Sequence, residues 1–312
     1  MNLSEVAQTC RRGNAPPCGV ACPLKLDIRK MMELLKNGSF AAAYRLYAKS
    51  ALFPGITSHI CDAPCSRACI RFALDGPLAL RDLERYCWKR CHDTAAGSFF
   101  IPRKNKKILI VGGGLCGMAC GAKLASRGYS VTLAEKSGRL GGRLWEFCGN
   151  TIPKDVLESD LERFSQMPYL EILLHTEISR FENRDFDATL VATGECGERI
   201  HAQGEEALEN GGVLRAVGIR DEGRLDALRR GSEISFAVES FVKVGAVRLQ
   251  QAPDTGWRPS VFATPNAAPL IPPVRPADPE AWTEEEVRGE AGRCLFCDCA
   301  GCLEECDMLR FY

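Results

Sequence analysis

Residues 108–135 read ILIVGGGLCGMACGAKLASRGYSVTLAE, and this stretch decides the architecture of the middle of the chain. Ile108 to Val111 is an apolar run of strand length, and the glycine-rich turn Gly112-Gly-Gly-Leu-Cys-Gly117 follows it. A helical stretch then runs to Gly128, and Tyr129 to Ala134 returns to strand composition. Strand, turn, helix and strand form a βαβ unit, which implies a parallel sheet. In that context the glycines have a physical purpose. Gly112 permits the tight turn, Gly114 lets backbone approach a pyrophosphate, and Gly117 allows close helix–strand packing. Leu115 and Cys116 open a helix whose N–H groups and dipole favour phosphate. Glu135 ends the second strand 18 residues after Gly117, where a carboxylate can accept hydrogen bonds from an adenosine ribose.

Outward from this unit, Tyr169 to His175 and Ala188 to Ala192 read as further strands and Leu225 to Val244 as a helix. On the N-terminal side, residues 24–50 carry apolar residues at helical spacing interrupted at Asn37-Gly38, the pattern of a helical hairpin, and residues 78–92 read as another helix. Residues 252–280 contain eight prolines, too many for a helix or central strand. The expected division is a helical metal-binding domain at 1–101, a Rossmann-like domain at 102–250, a Pro-rich linker at 251–285 and a Cys-rich tail at 286–312. The fold class is α/β with a helical N-terminal addition.

Forty basic and forty acidic side chains cancel in the 312-residue chain, so no overall field favours nucleic acid or an anionic membrane. No run approaches the roughly 18 apolar residues of a membrane span, and no secretory pattern opens the chain. A cytoplasmic protein is the default expectation. Seventeen cysteines are many for a reducing compartment, where clustered thiols serve metals or redox chemistry more often than disulfides. Eight lie within residues 10–91 and five within 294–306, so two metal-type patches flank a cysteine-poor middle. In the tail, Cys294, Cys297, Cys302 and Cys306 can cage one cluster, with Cys299 alternate or free; zinc is the competing metal.

Two more segments match flavoproteins built on two dinucleotide domains. Glu135-Lys136-Ser-Gly-Arg-Leu-Gly141-Gly142-Arg143 resembles their second glycine signature, and Phe186 to Thr193-Gly194 resembles their return strand and turn. FAD is the cofactor this resemblance implies. Their late Gly-Asp motif, which stabilises charge on the reduced flavin, has Gly218 and Asp221 as its nearest counterparts here. Cys10 to Glu84 resembles the N-terminal iron–sulfur domain shared by the glutamate synthase small subunit, dihydropyrimidine dehydrogenase and the large subunit of electron-bifurcating ferredoxin:NADP transhydrogenase. The matching pieces are Cys10-Arg-Arg-Gly13-Asn-Ala-Pro-Pro-Cys18-Gly-Val-Ala-Cys22-Pro23, Cys61-Asp-Ala-Pro-Cys65-Ser-Arg-Ala-Cys69, and Gly76-Pro77 through Glu84. The resemblance implies one 4Fe–4S cluster on Cys22, Cys61, Cys65 and Glu84. It implies a second on Cys10, Cys18 and Cys69, whose fourth ligand position is occupied by Gly13. That second site could hold an incomplete cluster, recruit Cys87 or Cys91, or hold none.

In the glutamate synthase small subunit an NADPH domain interrupts the flavin domain. Here only about sixteen residues separate Thr193-Gly194 from Gly211-Gly212, against the roughly 100 that a nucleotide domain needs. The sequence therefore predicts that the NAD(P)H module is missing. The function expected is an electron-transfer oxidoreductase subunit that passes electrons between a partner redox protein, with a ferredoxin-like protein as one candidate, and FAD. The alternatives are an NAD(P)H-dependent oxidoreductase like the glutamate synthase small subunit and a redox-inactive, zinc-binding scaffold of the same fold.

Overall fold

The computed structural model describes residues 16–93, 101–178, 185–194, 213–215, 225–247, 270–278 and 281–297. Its helices are α1 (Pro17–Ala21), α2 (Ile28–Lys36), α3 (Phe40–Ala51), α4 (Pro54–Ile60), α5 (Pro64–Arg67), α6 (Leu80–Cys91), α7 (Leu115–Ala125), α8 (Lys154–Ser165), α9 (Asp226–Val244) and α10 (Glu284–Gly292). The strands are β1 (Lys107–Val111), β2 (Ser130–Ala134), β3 (Leu170–Leu173), β4 (Ala188–Val191) and β5 (Val213–Arg215). Two compact units divide them: the first comprises residues 1–51, 63–94 and 252–312, the second 52–62 and 95–251.

The first unit is helical. The hairpin predicted at 24–50 is α2 and α3, with Asn37 capping α2 and Gly38 at φ +74° making the reversal. Asp27 caps the other end of α2 by accepting from the Lys30 N–H. Met31, Met32 and Leu35 on α2 are essentially inaccessible, and α2 packs against α3 and α10. Helix α10 starts on a capping box between Thr283 and Glu286. It crosses residue 285, where the sequence reading set the end of the linker, and it packs on α2.

The second unit is the α/β domain. Its five strands are parallel in the order β3-β2-β1-β4-β5, which is the doubly wound order of nucleotide-binding sheets. The strand order reverses beside β1, so the crevice beyond its C-terminal end is where such sheets take ligands. Ile108, Ile110, Leu133, Ala188 and Leu190 fill the sheet core. Helix α9 lies on α7, and Gly231 permits that approach, since a Cβ there would stand 2.2 Å from the Cys116 carbonyl oxygen.

Glu239 anchors α9. Its carboxylate accepts from Arg127 (2.9 Å), Tyr129 Oη (3.2 Å) and Lys243 (2.8 Å). Desolvation pushes the Glu239 carboxyl up, but the Lys243 hydrogen bond and the Arg127, Lys243 and Lys104 charges outweigh it and hold the group below the ordinary carboxylate range. A depressed carboxylate contributes stability above its unfolded pKa, and that stability is lost as pH falls through the folded value. Glu239→Gln is therefore expected to cost roughly 1–3 kcal/mol at neutral pH and to cost less as the solution is acidified. Urea unfolding of both proteins at pH 7 and in the acid range checks this; a pH-independent difference would contradict it.

Candidate dinucleotide turn and cysteine cavity

The three glycine-bearing segments of the second unit meet at the end of β1. Gly112 has φ +111°, and a Cβ on it would stand 2.4 Å from the Ala192 carbonyl oxygen and 3.2 Å from the Thr193 nitrogen, so the turn before Gly194 lies against it. A Cβ on Gly117 would fall 2.0 Å from the Gly112 carbonyl oxygen. The second signature closes over the first: the Gly141 N–H donates to the Gly113 carbonyl at 2.9 Å, and a Cβ on Gly142 would stand 3.3 Å from Gly114 Cα. Gly114 itself caps α7, and a Cβ there would meet no heavy atom within 4 Å. Free space beside a glycine at a helix N-terminus fits the diphosphate of a dinucleotide.

Glu135 accepts from the Gly113 N–H at 2.6 Å through Oε2 and from the Ser137 N–H at 2.8 Å through Oε1. The carboxylate thus braces the glycine turn, a contact that motif spacing does not announce. Leu115 and Cys116 are buried on α7, and burial pushes the Cys116 thiol up to about 11, as expected for a packing residue. Lys136 and Arg143 are exposed. Gly218 and Asp221 lie outside the described residues.

In the first unit one cavity is lined by Cys18, Cys69, Cys294 and Cys297. Cys18 lies on α1, Cys69 follows α5, and Cys294 and Cys297 follow α10. Burial, reinforced by the proximity of Cys69, Cys294 and Cys297, pushes the Cys18 thiol up to about 12. Cys294 rises to about 11 by burial, with Cys297 and Cys69 adding to the rise and the Arg71 charge opposing it. Burial is the main cause of both rises; what marks these thiols as candidate ligands is that four of them line one cavity, where metal binding would displace their protons. Among the described residues, no three His, Cys, Asp or Glu side chains stand close enough to share a single ion. Four thiols around one cavity are the donor chemistry that an iron–sulfur cluster takes.

A buried ionic network holds the tail segment in place. Arg293 is fully buried; its guanidinium donates to Glu290 (2.7 Å), Asp75 (3.1 Å) and the carbonyls of Gly76 (2.8 Å) and Ile271 (3.0 Å). Arg71, also buried, donates to the Arg293 carbonyl and to Asp75. Arg29 donates to the Cys297 carbonyl at 2.9 Å. These arginines were not singled out in the sequence, although Arg293 adjoins Cys294 and Arg71 lies two residues after Cys69.

The other expected ligand set divides between the units. Cys22, Cys65 and Glu84 belong to the first, Cys61 to the second, and all four are buried. Burial raises the Cys22 thiol, while the backbone N–H groups of Leu26 and Leu24 hydrogen-bond to its sulfur and oppose the rise; such bonds tune cluster sulfurs. Burial pushes the Glu84 carboxyl up to about 8 against the Arg81 and Arg85 charges. Cys10, Cys302 and Cys306 lie outside the described residues. Cys87 and Cys91 are buried on α6.

Residues 2–95 match the family model described as dihydropyrimidine dehydrogenase domain II, 4Fe–4S cluster, and residues 110–147 match the NAD(P)-binding Rossmann-like domain. The second match corrects the expectation that an NAD(P)H-binding module is missing, because an NAD(P)-binding Rossmann-like domain is present. The spacing argument looked for that module as an insertion after Gly194, whereas the match falls on the glycine turn itself. Similar proteins include the NADP(+)-dependent formate dehydrogenase subunit beta of Moorella thermoacetica, 25% identical over 74% of this chain and 38% of that protein. The NADPH-Fe(3+) oxidoreductase subunit beta of Geobacter sulfurreducens is 29% identical over 62% of this chain and 30% of its own length. The glutamate synthase (NADPH) small chain of Bacillus subtilis is 28% identical over 57% of this chain and 38% of its own. The chain thus spans less than two fifths of each of these relatives. No described helix is long and apolar enough to cross a membrane.

Proposed function

We propose that this chain is an electron-transfer oxidoreductase subunit that binds FAD at the glycine turn after β1 and 4Fe–4S clusters through its cysteines, and that it passes electrons between a partner redox protein and the flavin. The observation that carries this reading is the presence, in one chain, of a glycine-lined dinucleotide turn and a cavity lined by four thiols. Iron–sulfur clusters move single electrons and a flavin exchanges single electrons with pairs, so a chain holding both supplies the conversion between the two. The protein's own residues set binding and potential: Gly114 and the N-terminus of α7 receive the diphosphate, Glu135 braces the turn, and Arg71 places positive charge near the cluster thiols. Cys22, Cys61, Cys65 and Glu84 remain the proposed ligands of a further cluster. Three relatives above are named as subunits or a small chain, which supports a redox partner, with a ferredoxin-like protein as one candidate.

A second reading, in which the turn takes NAD(P)H, is favoured by the match of residues 110–147 to the NAD(P)-binding domain. Acid extraction of the anaerobically purified chain, with the released nucleotide identified by mass spectrometry, separates the two. FAD at about one equivalent per chain is expected. Release of NADP with no flavin would replace the first reading by the second.

A further inference from the structure

We propose that Cys18, Cys69, Cys294 and Cys297 together hold one 4Fe–4S cluster, so that the C-terminal tail supplies thiolates to the cluster of the N-terminal domain. The inference rests on the iron–sulfur reading above and changes its ligand assignment. The sequence divides these four cysteines between two cages, one lacking a ligand at Gly13 and one contained in the tail. In the structure they line one cavity.

The geometry of the tail supports the pairing. Helix α10 packs on α2, and Arg293, the residue before Cys294, is clamped by Asp75, Glu290 and the carbonyls of residues 76 and 271. Arg71, two residues beyond Cys69, donates to the carbonyl of Arg293, so a single hydrogen bond ties the Cys69 segment to the Cys294 segment. Arg29 fixes the Cys297 carbonyl. The Phe296 N–H donates to Cys294 Sγ at 3.4 Å, and Phe296 takes φ +48°. A left-handed conformation at a non-glycine residue costs energy and persists only where its surroundings enforce it; here it turns the chain between two thiols of the same cavity. On loading, each thiol releases its proton to solvent and its sulfur bonds one iron. All four irons then have a thiolate, and the side chain absent at Gly13 is not needed. Burial and the nearby Cys69 raise the Cys297 thiol, and the Arg29 and Arg71 charges oppose that rise, so both arginines stand where they would offset the negative charge of an all-thiolate cluster.

The test is additivity. The anaerobically purified full chain is compared with Cys18→Ser/Cys69→Ser, with Cys294→Ser/Cys297→Ser and with the quadruple variant, by iron and sulfide analysis and by electron paramagnetic resonance after dithionite reduction. Each double variant is expected to lose the same signal and about four irons and four sulfides per chain, and the quadruple variant is expected to lose no more. Losses that add, to about eight irons in the quadruple variant, would show two separate cages and overturn the proposal. If the variants do not fold, alkylation of the loaded wild-type chain decides the matter. The four cysteines should be protected together and become reactive at one common rate as a chelator strips iron; distinct rates for the Cys18/Cys69 and Cys294/Cys297 pairs would overturn it. A wild-type chain carrying zinc or no metal sinks the iron–sulfur reading itself, whereas iron with additive losses sinks only the ligand assignment.

Discussion

Arg293→Ala is expected to destabilise the first unit by about 3–5 kcal/mol and to release the cysteines that follow it. The side chain is fully buried, and its removal leaves the Asp75 and Glu290 carboxylates buried beside carbonyl oxygens that lose their donor. Desolvation raises Asp75, but the Ile271 N–H and the Arg71 and Arg293 charges more than offset it and hold the carboxyl below its usual range. Without Arg293, part of that compensation disappears. Lysine is not a substitute, since one ammonium cannot reproduce a planar fork serving two carboxylates and the carbonyls of Gly76, Pro77 and Ile271. Anaerobic urea unfolding followed by tryptophan fluorescence, together with hydrogen exchange across α10, measures the effect. A change under about 0.5 kcal/mol, the ordinary range of a surface substitution, would contradict the role assigned to the network.

Gly117→Ala is expected to weaken dinucleotide binding by roughly tenfold to a hundredfold, the equivalent of an overpacking strain of about 1–3 kcal/mol. The added Cβ would stand 2.0 Å from the Gly112 carbonyl oxygen. Because the obstacle is backbone, the turn itself must move. Gly112 has no room to yield, since its own Cα faces the Ala192 carbonyl. A second glycine on the same helix provides the comparison: a Cβ on Gly121 would meet Ile110 Cδ1 at 3.5 Å, an ordinary contact, so Gly121→Ala should retain binding and gain helix propensity. Titration of nucleotide-free protein measures both variants, and equal affinities would remove the steric argument for the glycine turn.

What could be read from the sequence follows how local the physics is. The βαβ unit is specified by neighbours: an apolar strand, glycines whose conformations the turn requires, and a helix that starts at Leu115. Asn37-Gly38 likewise marks a reversal that depends only on its own backbone. Helix α4 escaped notice because every residue from Pro54 to Ile60 is buried, leaving no polar face to set a period. Strand β5 has three residues, too few to show alternation. The shared cavity could not be read at all, since Cys69 and Cys294 are 225 positions apart in the chain and the spacing within each patch suggested separate cages. Nor do Arg71 and Arg293 look different from surface cations in the sequence; they are buried because carboxylates and carbonyls meet them there.

The central claim is that one polypeptide carries both a dinucleotide and iron–sulfur centres. Quantifying iron, acid-labile sulfide, zinc and bound dinucleotide on the same oxygen-free preparation of the full chain tests it most directly. The account predicts about one dinucleotide and about four to eight irons per chain, with sulfide matching iron. A colourless protein holding zinc alone, with no bound nucleotide, would contradict it.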